Sequence, residues 1–278
     1  MSNPNMGPAG GKTLRVQGPA CELAVHLRGD PAGEPVVMTH SILCSSMMWA
    51  DQAAALAERG WRVILVDARG HGASGVPSGP ATMDDLADDT VAVLDALGIA
   101  RAHYVGLSLG GMSGFGLALR HPERLSSALL CDARVDTPGD LGKVWDERIA
   151  IAQSQGTAAL ADSTVERWFG RAFVERHPNI AARFRDQAAA TSVAGFVSCA
   201  QAIQSMNYLP DVARIAVPVT LLVGGNDGVL PNAMRDLQRL IAGSVLEVIP
   251  DAGHLPNIDQ PAAFQDAFWR HFSRVATH

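Results

Sequence analysis

The chain has 278 residues, of which 47% are hydrophobic and 5% are aromatic, and it carries a formal net charge of −6. This length suits one large domain or a core domain that carries an insertion. The negative charge and the scattered basic residues argue against a nucleic-acid partner. Because the apolar runs are too short to cross a bilayer, we expect no membrane partner either.

The cysteines and the N-terminal segment indicate an ordinary cytoplasmic setting. The four cysteines are scattered without the close spacing of metal or redox motifs, so we expect free thiols and no metal site. Residues 1–12 are rich in Gly, Pro, Asn and Ser, and they lack the basic start and apolar core of a signal peptide. We interpret them as a disordered tail.

Eight apolar stretches have the length and composition of β-strands. They cover residues 13–16, 22–27, 35–39, 61–66, 102–105, 125–131, 217–224 and 245–249. Helical patterns accompany the later strands at residues 49–59, 82–97, 109–120, 232–242 and 260–274. Apolar strands that alternate with helices are typical of a mostly parallel sheet covered on both faces, which predicts the α/β class.

The alternation of strands and helices stops between residues 136 and 209. Only helical patterns occur there, and strands resume near residue 217. We therefore predict a core made of residues 13–135 and 210–278, with residues 136–209 inserted as a helical cap.

One turn carries the pattern Gly-x-Ser-x-Gly, formed by Gly106, Ser108 and Gly110 between a predicted strand and a predicted helix. This is the setting of a nucleophile elbow, in which a strained serine projects above the sheet. The first amides of the following helix point at the same place, where they can stabilise an oxyanion. Ser108 is therefore the candidate nucleophile.

A serine hydroxyl needs a neighbouring base, and that base needs an acid to orient it. His254 lies in a loop directly after the last predicted strand, where catalytic loops gather in parallel sheets. Asp227 follows another buried strand and gives the order nucleophile, acid, base. Asp132, at the end of the strand 125–131, is the rival acid, and we favour Asp227.

The oxyanion would need two backbone donors. The residue after the nucleophile supplies the Leu109 amide, and the loop after the first buried core strand supplies the Ile42 amide. His40, in the same loop, is a tempting base, but we interpret it as a structural histidine that braces the loop.

Five motifs occur in order along the chain: His40-Ser41-Ile42, Asp67-Ala68-Arg69-Gly70-His71-Gly72-Ala73-Ser74, Gly106-Leu107-Ser108-Leu109-Gly110-Gly111, Gly225-Asn226-Asp227 and Ala252-Gly253-His254. Together they resemble the α/β-hydrolases, over nearly all of residues 20–273. Within that fold, the chain is most similar to the 3-oxoadipate enol-lactonases and related small esterases. The resemblance implies a mostly parallel eight-stranded sheet with an inserted helical cap, and no organic cofactor or metal.

We therefore expect a serine hydrolase that cleaves a lactone or carboxylic ester through an acyl-enzyme. The specific candidate is 3-oxoadipate enol-lactone, in the setting of aromatic catabolism. Three alternatives stay open: a carbon–carbon bond hydrolase of ring-cleavage products, a cofactor-free haloperoxidase or perhydrolase, and a receptor that binds a small molecule with little turnover. A homo-oligomer also stays open.

The cap supplies candidates for substrate binding. Trp145 and Trp168 could form walls of the pocket. If the substrate carries a carboxylate, an arginine could hold it by two parallel hydrogen bonds. The candidate arginines are Arg134, Arg148, Arg167 and Arg171.

Overall fold

The computed structural model describes residues 6–7 and 11–275, and its centre is one mixed β-sheet. The strands in this described part are β1 (Met6–Gly7), β2 (Gly11–Gln17), β3 (Glu22–Gly29), β4 (Pro35–Thr39), β5 (Arg62–Val66), β6 (Ala102–Leu107), β7 (Leu125–Cys131), β8 (Val219–Gly224) and β9 (Val245–Ile249). They lie in the order β1-β2-β3-β5-β4-β6-β7-β8-β9. The pairings from β5 through β9 are parallel, and those of β1, β2 and β3 are antiparallel.

The prediction of a mostly parallel sheet is confirmed, and all eight predicted strands are present. A further two-residue strand, β1, pairs with the start of β2. Most of the predicted disordered tail (residues 1–5 and 8–10) lies outside the described residues. Gly11 and Lys12, which that prediction placed in the tail, belong to β2, so strand pairing begins before residue 13.

Helices cover both faces of the sheet and fill the segment between β7 and β8. The α-helices in the described residues are α1 (Ala50–Ala57), α2 (Met83–Ala96), α3 (Leu109–Arg120), α4 (Gly139–Gln155), α5 (Ala161–Phe169), α6 (Arg171–Arg176), α7 (Pro178–Ala190), α8 (Val193–Ser205), α9 (Leu230–Leu240), α10 (Pro256–Asp259) and α11 (Pro261–Val275). Thr82 caps α2, and its side chain accepts from the Asp85 amide while the Asp85 carboxylate accepts from the Thr82 amide. None of the described helices has the length and hydropathy needed to cross a bilayer.

The segment predicted as a cap contains helices α4 to α8. Apart from an isolated bridge between Asp136 and Asn207, the described chain from residue 136 to residue 209 forms no strand. The segment packs closely on the core where α8 crosses the loop after β5. There the Ser192 hydroxyl donates to the Gly70 carbonyl at 3.1 Å, and a Cβ added to Gly195 would lie 2.4 Å from the Cα of Gly70.

We predict that Gly195→Ala weakens the docking of this segment. The added methyl group overlaps backbone that has no side chain to move, so the free energy of unfolding should fall by about 1–3 kcal/mol. Gly142→Ala is the matched control, because a Cβ there meets nothing within 4 Å and the helix gains from alanine. Urea unfolding of both variants measures the difference. If the two variants were equally stable, the close approach of Gly195 to Gly70 would not be what limits the residue at position 195.

Candidate active site

Ser108 occupies a tight turn between the end of β6 and the start of α3. Its φ is 56° and its ψ is −113°, a backbone conformation that is costly for a residue with a Cβ. The Ser108 amide donates to the Cys131 carbonyl at 2.9 Å, and the Met112 amide donates to the Ser108 carbonyl at 2.7 Å. The turn is therefore fixed by hydrogen bonds on both sides, with the hydroxyl at the carboxyl edge of the sheet.

The glycines of the elbow are required by contacts with neighbouring atoms. A Cβ on Gly106 would lie 2.2 Å from the Gly110 carbonyl oxygen, and one on Gly110 would lie 2.4 Å from the Thr39 hydroxyl. The first turn of α3 therefore rests directly against the ends of β4 and β6. This contact explains why small residues flank the serine in the sequence.

The imidazole of His254 is held by Asp227. His254 Nδ1 lies 2.6 Å from Asp227 Oδ2, and both side chains are buried. The loop that carries the ring is fixed by two further bonds: the His254 amide donates to the Trp168 carbonyl at 2.8 Å, and the Gly253 amide donates to the Asp259 carboxylate at 2.6 Å. Since Nδ1 is engaged, Nε2 is the nitrogen left for a reacting group.

Ser108 and His254 line the same cavity, whose volume is about 410 Å³. Ile42 and Asp227 lie on its core side, and helices α4 and α5 supply its opposite wall. Within the described residues, no hydrogen bond joins the Ser108 hydroxyl to the His254 ring, a contact that commonly tightens only when substrate is bound. The structure thus brings the predicted nucleophile and base to one cavity without joining them directly.

Burial favours the neutral form of the His254 ring. Burial lowers the pKa of His254, the charge of Asp227 raises it, and the positive charge of Arg167 lowers it. The net direction is downward from 6.5. A base with a lowered pKa stays unprotonated in mildly acidic solution, as proton abstraction requires.

The rival acid Asp132 lies beside the same pair. Ligand atoms of Asp132, Asp227 and His254 all lie within 4.8 Å of one another. Such a trio could in principle bind a metal ion. However, two ligands held about 2.0–2.1 Å from a tetrahedral zinc would be separated by roughly 3.3 Å. His254 Nδ1 and Asp227 Oδ2 are only 2.6 Å apart, the length of a direct hydrogen bond, so this pair does not fit such a site.

The two predicted oxyanion donors have different surroundings. Leu109 is the first residue of α3, so its amide has no acceptor in a preceding helical turn. The next amide, that of Gly110, is already bound to the His40 carbonyl at 3.1 Å. Ile42 lines the cavity beside Ser108, and it precedes Leu43, whose φ is 61°. Leu109 is not among the residues that line the cavity, and the oxyanion roles of both amides stay a prediction.

His40 has the bonds of a structural residue. Its Nδ1 lies 2.8 Å from the Ser41 carbonyl oxygen, and its Nε2 accepts from the Ala68 amide at 2.8 Å. With both ring nitrogens engaged and the side chain buried, His40 braces the loop after β4. Neither nitrogen is left to act as a base.

Three of the four arginines suggested as substrate ligands line the cavity. Arg134 does so, but its guanidinium binds the Asp136 carboxylate at 3.0 Å. The described residues provide no carboxylate partner for Arg148 or Arg167, both of which also line the cavity. Arg171 is largely exposed and pairs with Glu166 away from the cavity, so it is not placed to bind substrate there.

Both candidate tryptophans line the cavity. Leu141 and Val144, which were not predicted, also line the cavity. With the predicted residues Trp145 and Arg148 they follow the i, i+3, i+4, i+7 pattern of one face of α4. In α5, Thr164 stands four residues before Trp168 and so shares its face. Once one tryptophan of each helix was proposed to line the pocket, this periodicity could have identified the others.

Comparison with known proteins agrees with the fold. Residues 34–261 match the family model described as alpha/beta hydrolase fold. The chain is 34% identical over 261 residues to 3-oxoadipate enol-lactonase 2 of Acinetobacter baylyi, with 92% of this chain and 94% of that protein covered.

Solved structures agree as well. The enol-lactonase from Burkholderia xenovorans superimposes with a TM-score of 0.89 and 33% identity, covering 94% of this chain and 100% of that one. A hydrolase from Pseudomonas aeruginosa gives a TM-score of 0.88 and 34% identity, covering 96% and 99%. The expected resemblance and the expectation of a hydrolytic enzyme are both confirmed. The chain belongs to the alpha/beta hydrolase fold family.

Proposed function

We propose that this protein hydrolyses a lactone or carboxylic ester through Ser108, His254 and Asp227. The observation that carries the proposal is the 2.6 Å bond between His254 Nδ1 and Asp227 in the cavity that Ser108 also lines. This bond leaves Nε2 as the acceptor for a serine proton, as in other triads.

In the proposed reaction, His254 Nε2 takes the Ser108 proton while the serine oxygen attacks the carbonyl carbon. The Leu109 and Ile42 amides bind the resulting oxyanion, and removal of one such donor typically costs ~100- to 1,000-fold in rate. His254 then returns the proton to the departing alcohol oxygen, which leaves an acyl-enzyme. A water deprotonated by the same ring releases the acid and restores Ser108.

The arginines of the cavity favour a substrate that carries a carboxylate. Arg148 is half-buried; it donates to the Thr164 hydroxyl at 2.8 Å, and its Nε has no partner among the described residues. Burial and the charge of Arg167 lower the pKa of Arg148 to about 10. Two cations without a protein carboxylate between them would be stabilised by an anionic ligand. Together with the name of the Acinetobacter relative, this supports 3-oxoadipate enol-lactone as the specific candidate.

Ser108→Ala should abolish hydrolysis. Loss of a triad serine removes the nucleophile, and a fall in kcat of about 10⁶-fold is typical. Ser113→Ala, a buried serine one turn further along α3, serves as the matched control and should keep most of the activity. Steady-state assays with an aryl ester and with an enol-lactone test both variants. Ester turnover by Ser108→Ala at the rate of Ser113→Ala would refute the proposed mechanism.

The pH profile should report the lowered pKa of His254. The acid limb of kcat/KM is expected below pH 6.5, because the base is lost only when pH falls through its pKa in the folded enzyme. Arg167→Met removes a positive charge that disfavours the imidazolium, so the limb should move to higher pH, by less than about one unit because the charge is screened. Arg171→Met, which removes an exposed charge outside the cavity, should leave the limb in place. Movement of the limb to lower pH in Arg167→Met would contradict the assignment.

Arg148→Met should discriminate between charged and neutral substrates. Hydrogen bonds to charged groups contribute about 1.5–3 kcal/mol, so KM for a carboxylate-bearing lactone or ester should rise ~10- to 100-fold. KM for a neutral ester of similar size should change little. Arg134→Met is the comparison variant, because its guanidinium is already paired with Asp136. An equal rise in KM for both kinds of substrate would argue against a carboxylate site at Arg148.

A further inference from the structure

Asp132 is a second buried carboxyl next to the proposed triad. It follows β7, and its φ is 45°, in the left-handed region that few non-glycine residues adopt. The Asp132 amide donates to the Leu222 carbonyl at 2.8 Å, and Asp132 Oδ1 accepts from the Gly224 amide at 2.8 Å. Both contacts are to β8, so the side chain is fixed against the strand that leads to Asp227.

The other oxygen of Asp132 lacks a donor. Oδ2 is buried and has no hydrogen-bond partner among the described residues, and an oxygen of Asp132 lies within 4.8 Å of ligand atoms of Asp227 and His254. The remaining charged or ionisable neighbours are Arg167 and the Cys131 thiol. Arg167 forms no ion pair with either aspartate within the described chain. An ionised carboxylate carries no donor hydrogen, so these two carboxyls can bond to each other only if one of them is protonated.

We propose that Asp132 is a positioning residue that donates a hydrogen bond to Asp227, so that the two carboxyls share one proton and present a single negative charge to His254. The proposal rests on the proposed function, because the charge it describes is the one that orients and stabilises the catalytic imidazole. Asp132, the alternative triad acid in the sequence analysis, is thereby given a different role from that of Asp227.

The directions of the two pKa values agree with this arrangement. Burial, followed by the charge of Asp227, raises the pKa of Asp132 well above its ordinary range. Burial also acts to raise the pKa of Asp227, but the charge and hydrogen bond of His254, the charge of Arg167 and the proposed hydrogen bond from Asp132 bring it below its ordinary value. Two carboxyls whose surroundings separate their pKa values in this way divide into one acid and one anion.

A shared proton also makes the contribution of Asp132 depend on whether Asp227 is present, and this dependence can be tested. In the Asp227→Asn variant, the like charge is gone, although burial still favours the protonated carboxyl of Asp132. The imidazolium that forms during the reaction then favours ionisation of Asp132, which can supply the negative charge in place of Asp227. Asp132→Asn, which keeps a donor for Asp227 but cannot ionise, is therefore expected to cost little while Asp227 is present and much when it is absent.

The test is a double-mutant cycle of Asp132→Asn and Asp227→Asn, read by the pH profile of kcat/KM. In the wild-type background, Asp132→Asn should lower kcat/KM less than about threefold and leave the acid limb in place, since an amide can also donate to Asp227. Asp227→Asn alone should cost less than the ~10⁴-fold typical of a lost triad acid, and adding Asp132→Asn should cost at least a further ~10-fold.

Two kinetic results would overturn the proposal. If Asp132→Asn moves the acid limb to lower pH by about a unit, Asp132 carries a full negative charge in the wild type. If Asp132→Asn has the same cost in both backgrounds, its role is independent of Asp227 and merely structural.

Infrared spectroscopy supplies a readout that needs no turnover. The wild type should have a carbonyl stretch from a buried protonated carboxyl, and that band should disappear in Asp132→Asn. In Asp227→Asn the band should shift, because the hydrogen bond of Asp132 then goes to a neutral amide instead of a carboxylate. An unshifted band in Asp227→Asn would overturn the proposal even if Asp132→Asn fails to fold. If the wild type hydrolyses no ester, the proposed function fails, and the infrared comparison still decides whether the pair shares a proton.

Discussion

The close backbone contact beneath Ser108 is the constraint on which the candidate site depends. Gly106 and Gly110 have no room for a Cβ, so the start of α3 rests directly on the ends of two strands. The tight turn between β6 and α3 leaves Ser108 with a φ of 56°, and positive φ values recur nearby at Leu43 and Asp132. Each such residue costs free energy that the surrounding structure must offset. The buried apolar strands of the sheet provide that stability and concentrate the strain where the hydroxyl, the ring and the carboxyls meet.

Burial and contacts between buried groups together set the charges of the site. Burial favours the neutral ring of His254, whereas contacts with His254, Arg167 and Asp132 lower the pKa of Asp227 against the effect of its own burial. Across the cavity, Arg148 and Arg167 supply positive charge without a carboxylate partner among the described residues. In a cavity of about 410 Å³, a bound ester would therefore lie between a neutral base and a cationic wall. This polarity is the physical basis of the proposed preference for substrates that carry a carboxylate.

The sequence predicted those parts of the site that depend on local patterns. Ser108, Asp227 and His254 each follow an apolar strand, and parallel strands end at a common edge, so their convergence on one cavity could be anticipated. Their catalytic roles stay a prediction. The pairing of Asp132 with Asp227 could not be read from the sequence, because it depends on the register of β7 against β8, in which Cys131 lies opposite Leu222. The partners of the cavity arginines depend likewise on how the helices pack.

The most direct measurement for the central claim is mass spectrometry of the enzyme quenched in acid during turnover of a slowly deacylated ester. The account predicts that the peptide containing Ser108 gains the mass of the acyl group, and that the rate of this gain falls as pH drops through the pKa of His254. An acyl group on another residue, or turnover with no acylated peptide at any time, would contradict a covalent intermediate at Ser108.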